Sequence, residues 1–174
     1  MILSPLENAS LLKREWIQQR PIITQSFGKR PDVYKQFGMK GHNGMDFRAK
    51  VGTPVYASFD GEVQVRNSKD KGYGLHIKLR SSYRARESVY GHLSRVVVKS
   101  GDRINIGDLL GFTGNTGFSS GPHLHWGLRH LVPRAGDVFK WKVKDHNNGY
   151  YGWIDPAQWT ITYKGTFKSY SLNS

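Results

Sequence analysis

The chain has no cysteine. Disulfides and thiolate metal sites are therefore excluded, and any metal must be held by nitrogen and oxygen ligands. Acidic residues are scarce: 13 Asp and Glu stand against 26 Lys and Arg, a net charge of +13. That excess favours polyanionic partners such as nucleic acid, anionic lipid or the phosphate-rich polymers of bacterial walls, without naming a reaction. Glutamate occurs only at Glu7, Glu15, Glu62 and Glu87. Two of these lie in the N-terminal stretch and Glu87 falls in a polar, Arg-rich segment that reads as a loop. No pair of acids is placed to flank one glycosidic bond. Long apolar runs are also missing, so no membrane insertion is expected. The opening "MILSPLENASLLKREW" lacks a basic region followed by an apolar one, so no secretory signal is expected.

What is present suits one globular domain of 174 residues. Residues 1–21 read as an extension with a short helix, capped at Ser4-Pro5, stopped at Pro21 and carrying Leu11, Leu12, Trp16 and Ile17 on its apolar stripe. Residues 22–160 form the main domain, with an insertion at about 131–150, and residues 161–174 a polar tail. From about residue 22 to 130 short strands alternate with glycine turns, which predicts an all-β fold. In "LHIKLR", Leu75, Ile77 and Leu79 share one face and His76, Lys78 and Arg80 the other, with His76 expected to be exposed. "VGTPVYASFDGEV" and "KSGDRINIGDLLGF" look like two related half-motifs, as in sandwich-like small barrels.

The histidines carry the chemistry. In "GPHLHW" a strand places His123 and His125 on one face and Leu124, Trp126 and Leu128 on the other. Alone, the pair fits an exposed strand as well as a metal site. In "KGHNGMDF", His42 and Asp46 are four apart, but Gly41 and Gly44 argue against a helix. A turn entering a strand can aim both at one point. Two imidazoles and a carboxylate would leave a fourth zinc position open, as catalytic sites do. In "VYGHLS", His92 is expected to share its strand face with Tyr90. His130 and His146 read as surface histidines.

Taken together and in this order, "HNGMD", "YGHL" and "SSGPHLH" resemble the signature of the lysostaphin/LytM family of zinc endopeptidases. The segments "GTPVYASFDGEV", "GYG", "KSGDRINIGDLLGFTGNTG" and "WIDP" add to the resemblance, which spans residues 22–158. It implies a two-sheet antiparallel β-sandwich, or barrel-sandwich, of the LytM type. It also implies one Zn²⁺ on His42, Asp46 and His125, with His92 and His123 as unligated catalytic histidines. Some family members carry a tyrosine shortly before the first zinc histidine. Tyr34 is the nearest one here, offset by Gln36 and Phe37. Tyr34, Tyr90, Asn115, Ser119 and Ser120 are the candidate substrate contacts, with Thr116 in the same loop.

The chemistry of these residue types agrees with the resemblance. Zinc polarises a carbonyl and acidifies water, and an imidazole titrating near neutrality can accept and return a proton. There is no HExxH and so no glutamate base of that kind. The expected activity is endopeptidase cleavage of bacterial peptidoglycan, at the stem peptide or cross-bridge, with anionic wall polymers as further partners. A non-catalytic wall-binding or activator module of the same fold is the first rival. A nucleic-acid binder is the second, and it lacks any recognisable motif, with Lys and Arg dispersed along the chain. A domain without a leader fits a phage lysin or virion-associated enzyme released by lysis. A secreted or periplasmic enzyme separated from its leader fits as well.

Overall fold

The computed structural model describes residues 22–134 and 137–158, with backbone only for 137–139. The expected N-terminal helix and C-terminal tail lie outside the described residues. The strands are β1 (Ile23–Gln25), β2 (Met45–Arg48), β3 (Pro54–Tyr56), β4 (Gly61–Asn67), β5 (Leu75–Ser81) and β6 (Arg86–Gly91). They continue as β7 (Leu93–Val96), β8 (Arg103–Ile104), β9 (Leu109–Thr113), β10 (His123–Arg134), β11 (Asp137–Val143) and β12 (Trp153–Ile154). One short helix, α1 (Pro31–Tyr34), precedes the 3₁₀ turn Lys35–Phe37.

Two antiparallel sheets form, as the alternation predicts. The large one runs β1-β2-β10-β6-β5-β4-β8, with β11 and β12 also paired to β10, and the small one runs β3-β9-β7. The two half-motifs clasp each other: β3 pairs with β9 in the small sheet while β4 pairs with β8 in the large one. Val55, Phe59 and Leu110 from these segments pack against Ile77, Leu79, Tyr90, Leu124, Trp126 and Leu128, all essentially sealed from water. A core of that size is what lets the other face of the large sheet be given over to polar groups.

Long strand β10 organises that other face. Its alternation sends Leu124, Trp126 and Leu128 inward and His123, His125, Gly127 and Arg129 outward. The stretch read as an insertion begins as the far end of β10, which turns back through β11 with Leu131 opposite Val143. Four segments wall the outward face: α1 with its 3₁₀ turn, the loop 68–74, the loop 114–122 and the turn 144–152. The second and third touch backbone to backbone, since a Cβ on Gly74 would lie 2.4 Å from the Thr116 carbonyl carbon. Only glycine allows that approach.

Candidate metal centre and catalytic cleft

Strand register alone brings the first groups together. His125 on β10 stands directly opposite Asp46 on β2 and opposite Gly91 on β6. Directly opposed residues have Cβ atoms about 4.5–5.5 Å apart, close enough to share one ligand. His42 arrives from the turn before β2, anchored by its own amide to Lys29 O and by its carbonyl to the Gly28 amide, both at 2.8 Å. Gly44 makes room: a Cβ there would sit 2.6 Å from the Trp126 carbonyl and 2.7 Å from the His125 ring.

Three donor atoms converge. His42 Nε2 is 3.1 Å from Asp46 Oδ1, His125 Nδ1 is 3.0 Å from the same oxygen, and the two nitrogens are 2.9 Å apart. His42 Nδ1 lies 3.2 Å from the Ser26 carbonyl, which can only accept, so its proton resides there and Nε2 is a bare lone pair. Asp46 is acceptor-only when ionised. At most one proton, on His125, could then serve three electron-rich atoms, whereas a cation satisfies all three. His125 Nε2 is buried with no hydrogen-bond partner, so the polar contacts of this ring all point into the cluster. Zinc bonds of about 2.0–2.1 Å give a tetrahedral edge near 3.3–3.4 Å, a few tenths longer than the distances here. The donor set, spacing and burial fit a zinc ion with an open fourth position, and His42, Asp46 and His125 are the residues that could hold it.

The electrostatics favour the metal-binding forms. Burial alone would raise the Asp46 carboxyl, but the adjoining imidazoles of His125 and His42 hold it well below the usual carboxylate range. Burial pushes His125 down to about 4, against the pull of Asp46. Its ring is therefore neutral at pH 7, with a lone pair to give.

Two further imidazoles border the cluster, their ring centroids 4.6 Å apart. His92 Nδ1 donates to the Thr116 carbonyl at 2.6 Å, and His123 Nδ1 to the Gly121 carbonyl at 2.7 Å. Both tautomers are thereby set with Nε2 unprotonated. His123 Nε2 lies 3.7 Å from Asp46 Oδ2. Burial, reinforced by His125 and His123, pushes His92 down to about 3. His92 adopts a left-handed backbone (φ 60°), a conformation uncommon outside glycine. There the chain passes from β6 in the large sheet to β7 in the small one, and its amide is fixed to Tyr73 O at 2.8 Å.

That kink corrects the expected strand face. His92 does not share a face with Tyr90: the left-handed residue breaks the alternation, Leu93 enters the core, and Tyr90 is wholly buried. The Tyr90 hydroxyl accepts the Ser58 amide at 2.9 Å, which makes it a core residue out of substrate reach. Tyr34 does reach the site, its ring 5.2 Å from His42. Its oxygen accepts from Gln25 Nε2 at 2.7 Å, leaving its own proton free to donate. Burial and the Asp46 carboxylate push Tyr34 up to about 12, so it stays protonated.

Ser119 lies 3.1 Å from His123 Nδ1 and donates toward Asn115 Oδ1 at 2.7 Å, so both sit behind the His123 ring. Ser120 is exposed beside them. His76 is buried rather than exposed, with Nδ1 on the Gly74 carbonyl at 2.9 Å and Tyr73 over its ring. Glu87 is not in a loop: it lies in β6, 1% exposed, between Arg80 and Arg129. His146 is exposed and His130 half-buried, neither within the cluster.

A cleft of about 300 Å³ runs from His92 and His125 past Tyr73 and Lys78 to Arg129 and Trp153. Tyr34, Phe37, Phe118 and Tyr151 form its walls. Tyr73, Lys78 and Arg129 were not singled out for a role by their sequence context. Strand register places Lys78 and Arg129 there, and the loop 68–74 brings in Tyr73.

An all-β two-sheet domain with a His/Asp/His cluster and two tautomer-locked imidazoles is the arrangement expected of a lysostaphin-like domain. A profile of Peptidase family M23 matches residues 40–138, and the chain belongs to that family. It is 44% identical over 88 residues to the peptidoglycan DD-endopeptidase ShyA of Vibrio cholerae, covering 50% of this chain and 20% of ShyA. It is 41% identical over 85 residues to the glycyl-glycine endopeptidase ALE-1 of Staphylococcus capitis, covering 49% and 24%. The fold matches the catalytic domain of the antimicrobial peptidase lysostaphin from Staphylococcus simulans. There the TM-score is 0.61 and the identity 28%, over 80% of this chain and 91% of that one. The match spans about a fifth to a quarter of the length of these curated relatives. Among the described residues no helix is long and apolar enough to cross a membrane.

Proposed function

We propose that this chain is a zinc-dependent endopeptidase that hydrolyses peptide bonds of bacterial peptidoglycan. The observation that carries the reading is the pair of imidazoles, His92 and His123, each with a bare Nε2 beside the His42–Asp46–His125 cluster. A site that only bound metal for structure would have no use for two such bases. The peptidoglycan DD-endopeptidase and glycyl-glycine endopeptidase among its relatives support the substrate class.

In this reading His42 Nε2, Asp46 Oδ1 and His125 Nδ1 hold one zinc ion. When bound, zinc supplies Lewis acidity to the scissile carbonyl and to the attacking water. His92 and His123 divide the proton work: one Nε2 takes the proton of the attacking water, and the departing amine is protonated from the same pair. The Thr116 and Gly121 carbonyls keep those rings from turning. Tyr34, held by Gln25, donates its free proton to the oxyanion as charge develops. Asn115 and Ser119 support His123, and Ser120 lies on the rim where substrate enters. The +13 charge favours residence on an anionic wall, an association that weakens with salt.

The test is incubation with purified peptidoglycans of differing cross-bridge, with and without chelator, followed by mass spectrometry of released fragments. New amino termini that vanish with chelator and return with zinc are expected. Peptidoglycans left intact across the panel by zinc-loaded protein would return the assignment to a wall-binding module.

A further inference from the structure

Three rows of side chains cross the outer face of the large sheet. Register defines them: His76, Gly91, His125 and Asp46, then Lys78, Val89 and Gly127, then Arg80, Glu87, Arg129 and Trp153. Successive rows are two residues apart along each strand, about 6.5–7 Å. The metal cluster occupies the first row. Lys78 stands two strands across from β10 and one row along, and Arg129 two rows along β10 itself, so both backbones lie roughly 12–13 Å from that of His125.

In the third row the Glu87 carboxylate is fully paired. Arg80 Nε and Arg129 Nε each bond a Glu87 oxygen at 3.0 Å, and Arg129 stacks on Trp153 at 4.5 Å. In the second row Lys78 is half-buried, lines the cleft, and has no carboxylate within 4 Å among the described residues. Beside it Tyr73 accepts from Asn43 Nδ2 at 2.6 Å, leaving its own hydroxyl proton to give. Arg129 Nη1 has only a 3.5 Å contact to the Tyr151 carbonyl. Three cations, Lys78, Arg80 and Arg129, thus surround the single carboxylate of Glu87, and Lys78, Tyr73 and Arg129 line the same cleft. Burial, with the charges of Arg129, Arg66 and Arg80, lowers the Lys78 pKa against the pull of Glu87.

We infer that Lys78, with Tyr73 and Arg129, forms a carboxylate-binding subsite that selects peptides bearing a free carboxylate within a few residues of the scissile bond. The inference rests on the peptidase reading above and sharpens its substrate class. A neutral oligoglycine bridge offers nothing to this row. A stem peptide carries carboxylates at its C-terminal alanine and, in some walls, on a diamino-acid side chain, and either supplies the same chemistry. A carboxylate of the right reach would accept from the ammonium and the phenol in a site partly shielded from water, where such charge-assisted bonds are strong.

The test uses an N-acetylated stem-peptide dimer with all carboxylates free, its C-terminal amide, its side-chain amide, and an oligoglycine-bridged dimer. Affinities are measured by calorimetry on the chelator-treated full chain, which removes both cleavage and direct bonding of carboxylate to zinc. Rates are measured on the zinc-loaded chain. Wild type should bind the free acid at least about ten-fold tighter than one of the two amides, the ratio one charge-assisted hydrogen bond supplies. Whichever amide loses affinity identifies the carboxylate read. Lys78→Gln should abolish the preference and Lys78→Arg should keep most of it. Equal affinities for acid and both amides in wild type, or a preference that survives Lys78→Gln, would overturn the inference. If the preference appears but none of the four peptides is cleaved, the subsite stands and the peptidase reading fails. If cleavage proceeds without preference, the subsite fails alone.

Discussion

The two faces of the large sheet use alternate residues of the same strands and obey opposite rules. On the inner face, Ile77, Leu79, Tyr90, Leu124, Trp126 and Leu128 pack against the small sheet. There even the one phenol is satisfied by a backbone amide. On the outer face, His125, Asp46, His92 and Lys78 leave lone pairs and protons without protein partners. The inner face packs without a ligand, although Trp126 Nε1 and Ser88 Oγ are buried there with no hydrogen-bond partner. The outer one carries a His/Asp/His cluster that could hold a cation and a cleft open beside it. The same period-2 alternation that makes a strand amphipathic thus separates stability from chemistry, residue by residue along β10. Substitutions on the two faces should then fail in different ways.

The largest effect is expected at the metal row. Asp46→Ala leaves two imidazoles without the shared oxygen, so zinc content measured after dialysis should fall to near zero. Peptidoglycan cleavage should drop by at least about 10³-fold, the several kcal/mol a metal ion supplies to such a transition state. The thermal midpoint of the metal-free protein should change little. A fall as large as a core substitution causes would show that the cluster is structural, and the contrast between faces would collapse.

His92→Ala is next, with a loss of about 10²–10⁴-fold in kcat, the usual contribution of a positioned acid–base group. Zinc content should be retained, which separates proton work from metal binding. On the inner face of the same sheet, Leu124→Ala should cost about 2–5 kcal/mol of stability. That lowers the midpoint by about 2–4 °C per kcal/mol in a chain of this size. Activity per folded molecule should be nearly kept.

Glu87 is the exception that sharpens the comparison, because it belongs to the outer face yet is internally paired. Burial would raise its carboxyl, but Arg129 and then Arg80 hold it below its ordinary value of 4.5. A depressed folded pKa means the stability it contributes is fully present above about pH 4.5 and is lost as pH falls through the lower folded value. Glu87→Gln should therefore cost about 2–3 kcal/mol at pH 7, toward the low end for a broken buried pair because Arg80 is half exposed. The variant's stability should depend less on pH across the acid range. Chemical denaturation at pH 7 and pH 3.5 reads both effects. An unchanged acid limb would place the pair's contribution elsewhere.

Much of this was legible in the sequence because each histidine cluster is local. "HNGMD", "YGHL" and "GPHLH" carry their residue types and turn glycines within a few positions, and the alternation in "HLHWGL" fixes which face His125 takes. What was not legible is lateral. Glu87 lies between Arg80 and Arg129 only because β6 pairs with β5 in one register and with β10 in another. An Arg-rich stretch read alone looks like a loop. His76 was expected to be exposed since it alternates with Lys78 and Arg80. The loop bearing Tyr73 folds over that end of the outer face and buries it. His92 broke the pattern itself, by taking a left-handed backbone where the chain changes sheets. Tyr34 depends on a helix of four residues and a 3₁₀ turn, too short for periodicity to reveal.

The smallest effect tests that misplaced face directly. Period-2 counting through His92 puts Tyr90 toward substrate, whereas the kink puts it in the core with its hydroxyl on the Ser58 amide at 2.9 Å. Tyr90→Phe keeps the ring and leaves that buried amide without its acceptor, which should cost about 1–2 kcal/mol. KM and kcat for peptidoglycan fragments should both be unchanged in the fraction that is folded. A raised KM with unaltered stability would mean that the hydroxyl meets substrate after all, and that the alternation runs unbroken through His92. The two outcomes separate because a core phenol and a cleft phenol stand on opposite sides of one sheet, and no single substitution reaches both.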